Sequence, residues 1–193
     1  VIYGSLVAFV QKDFKYVIGF SSVSHMGLVS MAFATMSTVG YVGAGMQMFS
    51  HGIMTALFFA VVGIVYDRAH TRQIPELGGM VKVLPWAAVA FIAGGLVSMG
   101  MPGFSGFAAE LPIFMGVWKA GETVRPYYRI IAMLSATGIV ITAAYVLRVV
   151  QQVFFGKYEA EKWHDMRPST GLDKVALLVE EYGCLIIVLG YFL

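Results

Sequence analysis

Three ionisable side chains lie inside apolar segments of the sequence, where an ionised group is costly. His25 stands in "SSVSHMG", His51 in "QMFSHGIMT", and Glu110 in "GMPGFSGFAAELPIFMG". Histidine takes up and releases a proton near neutral pH, because its unperturbed pKa is about 6.5. A desolvated carboxyl group can exchange a proton in the same range. These residue types in apolar surroundings therefore indicate proton transfer.

Each of these residues also has a purely structural interpretation. A buried histidine often donates to a carbonyl of a neighbouring helix, and Gln47 and Thr55 could hold helices together by hydrogen bonds. His25 and His51 could in principle bind a metal ion, but the sequence offers no identifiable third ligand. A protonated Glu110 could simply be buried. An acid at membrane depth beside a broken helix is nevertheless typical of a transport site.

A group of helix-breaking residues precedes Glu110. Gly100, Pro102, Gly103 and Gly106 interrupt an apolar segment that is too long for one straight span. Proline removes a backbone donor and glycine favours non-helical conformations. We therefore predict a discontinuous helix near residues 100–107, which would admit water and allow a local conformational change beside the acid.

Lys15 is the fourth candidate for proton transfer, at the start of the segment that contains His25. The two residues are ten positions apart, which is roughly 15 Å along a helix. Direct transfer over that distance is implausible, so water or other side chains would have to connect them.

The composition requires a membrane environment for these residues. Hydrophobic residues make up 59% of the 193 residues and charged residues only 12%, whereas soluble domains have about 25% charged residues. The apolar segments are about 20 residues long, which suits membrane-spanning helices. The ten-residue alternation of a membrane β-barrel is absent. We predict an all-α, polytopic transmembrane bundle of five to six spans.

The chain reads as one membrane domain over residues 1–193, and as the C-terminal part of a longer subunit, because it starts and stops within apolar segments. A half span ends near Val10 and the last span begins near Asp173. The complete spans between them are predicted at residues 16–36, 42–66, 86–118 and 127–150. The net charge of +2 and the single Cys184 give no support for nucleic-acid binding or a disulfide framework.

Lysine and arginine are distributed unevenly between the two sides of the predicted membrane. One side receives only Lys119, Arg125 and Arg129. The other side receives Lys12, Lys15, Arg68, Arg72, Lys82, Arg148, Lys157, Lys162 and Arg167, with Lys174 beside it. Basic loops stay in the cytoplasm, so we expect the loops at residues 67–85 and 151–172 on the cytoplasmic or matrix side.

Four motifs resemble a known family in their order and spacing. "DFKYVIGFSSVSHMG", "QMFSHGIMTALFF", "YDRAHTRQIPELGG" and "MGMPGFSGFAAELPIFMG" resemble the antiporter-like subunits of proton-translocating NADH–quinone oxidoreductase, respiratory complex I. Within them, the motifs resemble subunit M, or chain 4. The resemblance covers about residues 1 to 157. The family usually has glycine where Ala109 stands and a large apolar residue where Pro112 stands.

The resemblance implies a function and its residues. It places His25 and His51 on the central proton path and makes Glu110 the terminal acid of a relay that we extend to Lys15. It implies a translocase subunit without a redox centre. NADH, FMN, the iron–sulfur clusters and quinone (ubiquinone or a relative) would bind to other subunits, and electron transport there would drive proton translocation here. The expected partners are L- and N-type subunits in a bacterial plasma membrane or an organelle inner membrane.

Two other functions remain open from the sequence. The same motifs occur in subunits of multi-subunit cation/proton antiporters and of membrane-bound hydrogenases, which share the architecture. A structural membrane scaffold would also contain buried polar residues, which would then serve only to join helices.

Overall fold

The computed structural model describes residues 1–159, 163, 170, 171 and 173–178. Within this part of the chain the structure is helical and contains no β-strand, as predicted. The helices are α1 Ile2–Val10, α2 Phe14–Ala34, α3 Thr38–Ala69, α4 Pro85–Ser98, α5 Ser105–Thr123 and α6 Tyr127–Val149. Short 3₁₀ turns lie at Ile74–Glu76 and Met80–Lys82, and α6 continues into a π-helical turn at Val150–Phe154.

Three helices of the described residues are long and apolar enough to cross a membrane: Phe14–Ala34, Thr38–Ala69 and Tyr127–Phe154. The predicted third span is divided into α4 and α5, which are separated by non-helical residues 99–104. This interruption confirms the discontinuous helix in the predicted architecture.

Local sequence explains where the helices begin and end. Ser37 caps α3, since its hydroxyl accepts a hydrogen bond from the Gly40 N–H at 3.1 Å. At the other end His70 adopts a left-handed conformation with φ of 52°, which is a common helix stop. These two signals make α3 longer than the predicted segment 42–66 by about one turn at each end. Pro85 starts α4, where a missing N–H costs nothing.

One end of the bundle contains most of the described basic side chains, and we call it the basic end: residues 11–15, 68–84 and 150–158. Backbone hydrogen bonds join its loops, from Phe14 N–H to the Arg72 carbonyl at 2.9 Å and from Ile74 N–H to the Lys12 carbonyl at 2.8 Å. Tyr158 packs so closely on Gly79, which has φ of +66°, that a Cβ there would lie 2.6 Å from the tyrosine Cβ. The loop at 67–85 and the start of the loop at 151–172 therefore lie together.

An aromatic cluster of Phe14, Phe58, Phe91 and Phe154 fills the bundle next to the basic end. The ring of Phe91 lies at its centre, with centroid distances of 5.1 Å to Phe14, 4.8 Å to Phe58 and 5.5 Å to Phe154. All four rings are buried. The cluster forms an apolar layer between the basic end and the middle of the bundle.

The last predicted span begins within the described residues, of which 173–178 are helical. Its continuation, with Glu180, Glu181 and Cys184, lies outside the described residues, as do Lys162 and Arg167 of the preceding loop.

Candidate functional site

His25 and His51 meet in the middle of the bundle because α2 packs against α3. Their ring centroids are 5.2 Å apart and the rings are tilted by 40°. Only 3% of His25 and 8% of His51 is exposed. Together with Gln47, Ser98 and Glu110 they form what we call the central cluster.

Glu110, on α5, lies beside His25. Its side chain is buried, and its Oε1 lies 3.5 Å from Nδ1 of His25. At this distance the pair can form an ion pair when the imidazole is protonated and the carboxyl is ionised. Moving one proton from Nδ1 to the carboxylate would cancel both charges, so the pair can hold a proton on either side.

The break between α4 and α5 lets the Glu110 carboxyl approach the backbone. Gly100 has φ of +63°, and a Cβ at this position would lie 2.7 Å from Oε2 of Glu110. Gly103 has φ of +97°, and Pro102 lies between the two glycines.

Gly106, which we expected within the break, lies instead in the first turn of α5, where its backbone packs against the Val97 carbonyl. The glycine is therefore needed for close packing of α5 on α4.

Hydroxyl and amide groups surround the His25 imidazole. Nε2 of His25 lies 3.0 Å from the Ser98 hydroxyl, and Nδ1 lies 3.3 Å from Nε2 of Gln47. Ser98 is the last residue of α4, so the break places this hydroxyl directly on the ring. On the other side of the break, the Ser50 hydroxyl donates to the Ser105 hydroxyl at 2.8 Å. These contacts connect α2 to the end of α4 and α3 to the start of α5.

The contacts at Nδ1 of His25 require a choice between two hydrogen arrangements. A bare Nδ1 can accept from the Gln47 amide, whereas a protonated Nδ1 donates and suits the Glu110 carboxylate. The proton on Nδ1 therefore decides whether this nitrogen bonds to Gln47 or to Glu110.

The buried Oε1 of Gln47 and Nδ1 of His51 have no hydrogen-bond partner in the described part of the chain. Buried polar atoms are nearly always paired, so these two atoms could accommodate a rearranged proton or a water molecule.

Lys15 is not part of the central cluster. It is exposed in the first turn of α2, where its backbone N–H donates to Asp13 Oδ1 at 2.9 Å. Buried Val17 and Ile18 lie between Lys15 and His25 along the same helix. The structure thus brings His25, His51 and Glu110 together and leaves Lys15 at the basic end.

Three residues in or next to the central cluster were not among the candidates from the sequence. Ser98 and Ser105 flank the helix-breaking residues, and their positions on either side of the interruption could have identified them. Tyr145 of α6 is 2% exposed, and its hydroxyl lies 2.6 Å from the Ser21 hydroxyl. A tyrosine close to the end of an apolar segment looks like an interfacial residue, so its burial could not be predicted from its position in the sequence.

The metal-binding alternative gains no support from the geometry. Among the residues that the structure describes, no group of three or more histidine, cysteine, aspartate or glutamate side chains could hold a metal ion. The central cluster offers two imidazoles and one carboxyl, and the carboxyl faces an imidazole nitrogen.

These features define an integral membrane bundle in which buried imidazoles meet an acid beside a discontinuous helix. Residues 1–142 match the family model described as "NADH:quinone oxidoreductase/Mrp antiporter, TM". The chain therefore belongs to this family, in agreement with the resemblance of its four motifs.

Curated relatives and solved structures agree with this assignment. The chain is 40% identical over 188 residues to "NAD(P)H-quinone oxidoreductase chain 4 1" of Synechococcus sp., covering 95% of this chain and 36% of the relative. It is 38% identical over 174 residues to "NAD(P)H-quinone oxidoreductase chain 4-2" of Synechocystis sp., covering 90% of this chain and 30% of the relative. The chain thus spans about a third of the length of the curated relatives it matches.

The fold is also found in membrane complexes. A chain of "Respiratory complex I from Thermus thermophilus with bound NADH" aligns with a TM-score of 0.86 at 27% identity, covering 98% of this chain and 39% of that chain. A chain of the Mrp complex from Dietzia sp. DQ12-45-1b aligns with a TM-score of 0.83, covering 98% of this chain and 42% of that chain. Its identity of 22% shows a shared fold alone.

Proposed function

We propose that this chain is part of a proton-translocating membrane subunit of an NADH–quinone oxidoreductase. The observation that carries the proposal is the contact of His25 with Glu110 at 3.5 Å, next to His51 and the break between α4 and α5. The family membership and the chain 4 relatives support the same assignment.

The proposed relay uses the two imidazoles and the acid. A proton taken up by His25 or His51 would be passed to Glu110, whose carboxyl lies against the backbone at Gly100. Movement of the break would then change the access of Glu110 to water. Lys15 stays a proposed member at the basic end and would reach His25 only through intervening side chains or water.

The rest of the complex would supply the energy. We infer that NADH, FMN, the iron–sulfur clusters and quinone are bound by other subunits, and that L- and N-type subunits are the neighbours in the membrane. We also propose that the basic end faces the cytoplasm or matrix, since its loops are rich in lysine and arginine.

The substitution Glu110→Gln in the full-length subunit, assembled in its complex, tests the relay. It removes the exchangeable proton with little change in shape. We expect fewer protons pumped per electron in vesicles, measured from dye quenching alongside NADH oxidation. Glu122→Gln is a matched control on the same helix, because Glu122 is exposed and paired with Arg129 at 2.6 Å.

Normal pumping by the Glu110→Gln complex would reject the proposed relay. The scaffold alternative makes a different prediction for His25→Ala and His51→Ala. It predicts less assembled complex but unchanged pumping per assembled complex, whereas the relay predicts reduced pumping in the complexes that do assemble.

Cation/proton antiport is the second candidate, because the matched family description includes the Mrp antiporter. Membranes that contain the full-length subunit and its partners distinguish the two functions. Proton uptake driven by NADH and blocked by removal of quinone supports the oxidoreductase. Proton movement driven by a sodium gradient without NADH supports the antiporter.

A further inference from the structure

Gln47 is a buried polar residue to which the proposed relay assigns no role. It lies on α3, one turn before His51, and only 3% of it is exposed. Its Nε2 lies 3.3 Å from Nδ1 of His25, whereas its Oε1 has no hydrogen-bond partner in the described part of the chain. The amide therefore turns its donor end to the imidazole and leaves its acceptor end unused.

Close packing of α3 against α5 holds Gln47 near the acid. Gly43 lies one turn before Gln47 on the same face of α3, and a Cβ at Gly43 would lie 2.8 Å from the backbone nitrogen of Ile113. Ile113 is three residues after Glu110 on α5. The two backbones thus meet beside both side chains, and the amide and the carboxyl approach the same imidazole from adjacent helices.

Gln47 and Glu110 compete for one ring nitrogen of His25. Nδ1 lies 3.3 Å from Nε2 of Gln47 and 3.5 Å from Oε1 of Glu110. When Nδ1 carries a hydrogen, it donates, and the carboxylate is its natural acceptor. When Nδ1 is bare, it accepts, and the Gln47 amide is a donor already turned towards it.

The second carboxyl oxygen of Glu110 has a different neighbour. Oε2 lies towards Gly100 in the break, where a Cβ would be 2.7 Å from it. The carboxyl group therefore reaches the imidazole through Oε1 and the interrupted backbone through Oε2. A proton on Glu110 can return to His25 from the first oxygen or leave at the break from the second.

We propose that Gln47 hinders the return of a proton from Glu110 to His25. This inference rests on the proposed proton-translocating function. By donating its amide hydrogen to the bare Nδ1, Gln47 occupies the position to which the proton would return. The hydrogen bond also stabilises the state in which the acid holds the proton, so departure at the break is favoured over return.

The transfer is balanced in atoms and charge. Protonated His25 carries a hydrogen on each ring nitrogen and gives the Nδ1 proton to the Glu110 carboxylate. An imidazolium and a carboxylate thus become a neutral imidazole and a neutral acid, and the remaining hydrogen stays on Nε2, which faces the Ser98 hydroxyl. Gln47 gains and loses no proton, because it serves only as a hydrogen-bond donor.

The first test is Gln47→Met in the full-length subunit within the assembled complex, which keeps the length of the side chain and removes the donor. Protons pumped per electron are measured in vesicles against a small opposing proton gradient and again against a large one. Loss of one hydrogen bond shifts an equilibrium roughly fivefold, here towards return of the proton. We therefore expect Gln47→Met to lose most pumping against the large gradient, which drives the return.

Gln47→Glu should give a different pattern. A carboxylate has no hydrogen to donate to a bare Nδ1, and it accepts one from a protonated Nδ1 instead. It would hold the proton on His25 in competition with Glu110, so we expect less pumping against both gradients. If Gln47 only packs helices together, both variants should lower the amount of assembled complex and keep the gradient dependence of the unaltered complex.

Gln152→Met is the matched control, because Gln152 is exposed at the basic end, and it should leave the gradient dependence unchanged. Normal pumping by Gln47→Met at both gradients, or an equal loss at both, would overturn the role of Gln47. If Gln47→Met does not assemble, Gln47→Glu decides, and its normal pumping would overturn the role. Either result leaves the proposed function intact when Glu110→Gln is defective, whereas normal pumping by Glu110→Gln would overturn the function itself.

Discussion

The basic end and the central cluster both contain ionisable side chains, but they compensate charge in different ways. At the basic end, Arg72 Nε lies 3.8 Å from Asp13 Oδ2, and Arg68 pairs with Asp173. These pairs join groups that are charged at neutral pH and retain some exposure to solvent. In the central cluster Glu110 faces an imidazole, whose charge depends on whether it holds a proton.

This difference separates structural from functional ionisable residues. Water and salt screen an exposed ion pair, so its loss costs about 1 kcal/mol or less. In the interior an unpaired charge costs several kcal/mol. An acid and an imidazole in contact can avoid this cost by sharing a proton. The central cluster is therefore suited to hold a mobile proton, whereas the basic end joins loops.

Among the substitutions that test this difference between the basic end and the central cluster, Gly100→Ala is expected to have the largest effect. A non-glycine residue at φ of +63° is strained by roughly 1 kcal/mol, and the added Cβ would lie 2.7 Å from Oε2 of Glu110. We expect the acid to be displaced and protons pumped per electron to fall as in Glu110→Gln, measured in vesicles.

Gly45→Ala in α3 is the control for this substitution, because a Cβ at Gly45 has nothing within 4 Å. We expect that variant to pump normally. Normal pumping by Gly100→Ala as well would mean that the approach of Glu110 to the break does not matter for transfer.

The next largest effect is expected from Phe14→Ala in the aromatic cluster. Phe14 is fully buried and contacts Phe91 and Phe154, with ring centroids at 5.1 and 6.5 Å. Removing such a ring costs about 3 kcal/mol through lost packing. We expect a lower melting temperature of the assembled complex in detergent, followed by intrinsic fluorescence.

Phe33→Ala is a suitable control on the same helix, since Phe33 is 43% exposed. Its melting temperature should stay close to that of the unaltered complex. Equal destabilisation by both substitutions would argue against a tightly packed layer next to the basic end.

Much of the fold could be predicted because membrane spans follow from long-range composition. Long apolar segments bounded by charged or breaking residues located α2, α3 and α6, and the three glycines with Pro102 located the interruption between α4 and α5. The family prediction is confirmed by the match over residues 1–142. Helix ends were less accurate, because α3 ends through the left-handed conformation of His70 rather than at its first charged residue.

The site could be predicted only in part, because its contacts depend on how helices distant in sequence pack. An ionisable residue in an apolar segment is conspicuous, so His25, His51 and Glu110 were candidates from the sequence alone. The hydroxyls of Ser98 and Tyr145 are common in spans, and 73 residues separate Ser98 from the histidine that it contacts. The membership of Lys15 in the relay stays a prediction, and it would require connecting side chains or water.

The smallest expected effect concerns Asp173, the acid of an ion pair at the basic end. Its carboxylate accepts a hydrogen bond from the Thr170 N–H at 2.8 Å and also pairs with Arg68. The backbone hydrogen bond from Thr170, with help from Arg68, lowers the pKa of Asp173 below its usual value of 3.8. A lowered pKa in the folded state stabilises the protein above the usual pKa, and this contribution is lost as the pH falls through the lowered value.

We therefore expect Asp173→Asn to increase hydrogen exchange of the peptide that contains residues 173–178 at pH 6, with a stability loss of about 1 kcal/mol or less. The difference from the unaltered subunit should shrink as the pH falls below about 3.8, because Asp173 then becomes protonated as well. Exchange is compared between the two proteins at each pH, which cancels the pH dependence of the intrinsic rate. A difference that persists unchanged in acid would mean that the charge of Asp173 is not what holds this segment. Pumping per electron should be the same in both proteins, since the ion pair belongs to the basic end and not to the central cluster.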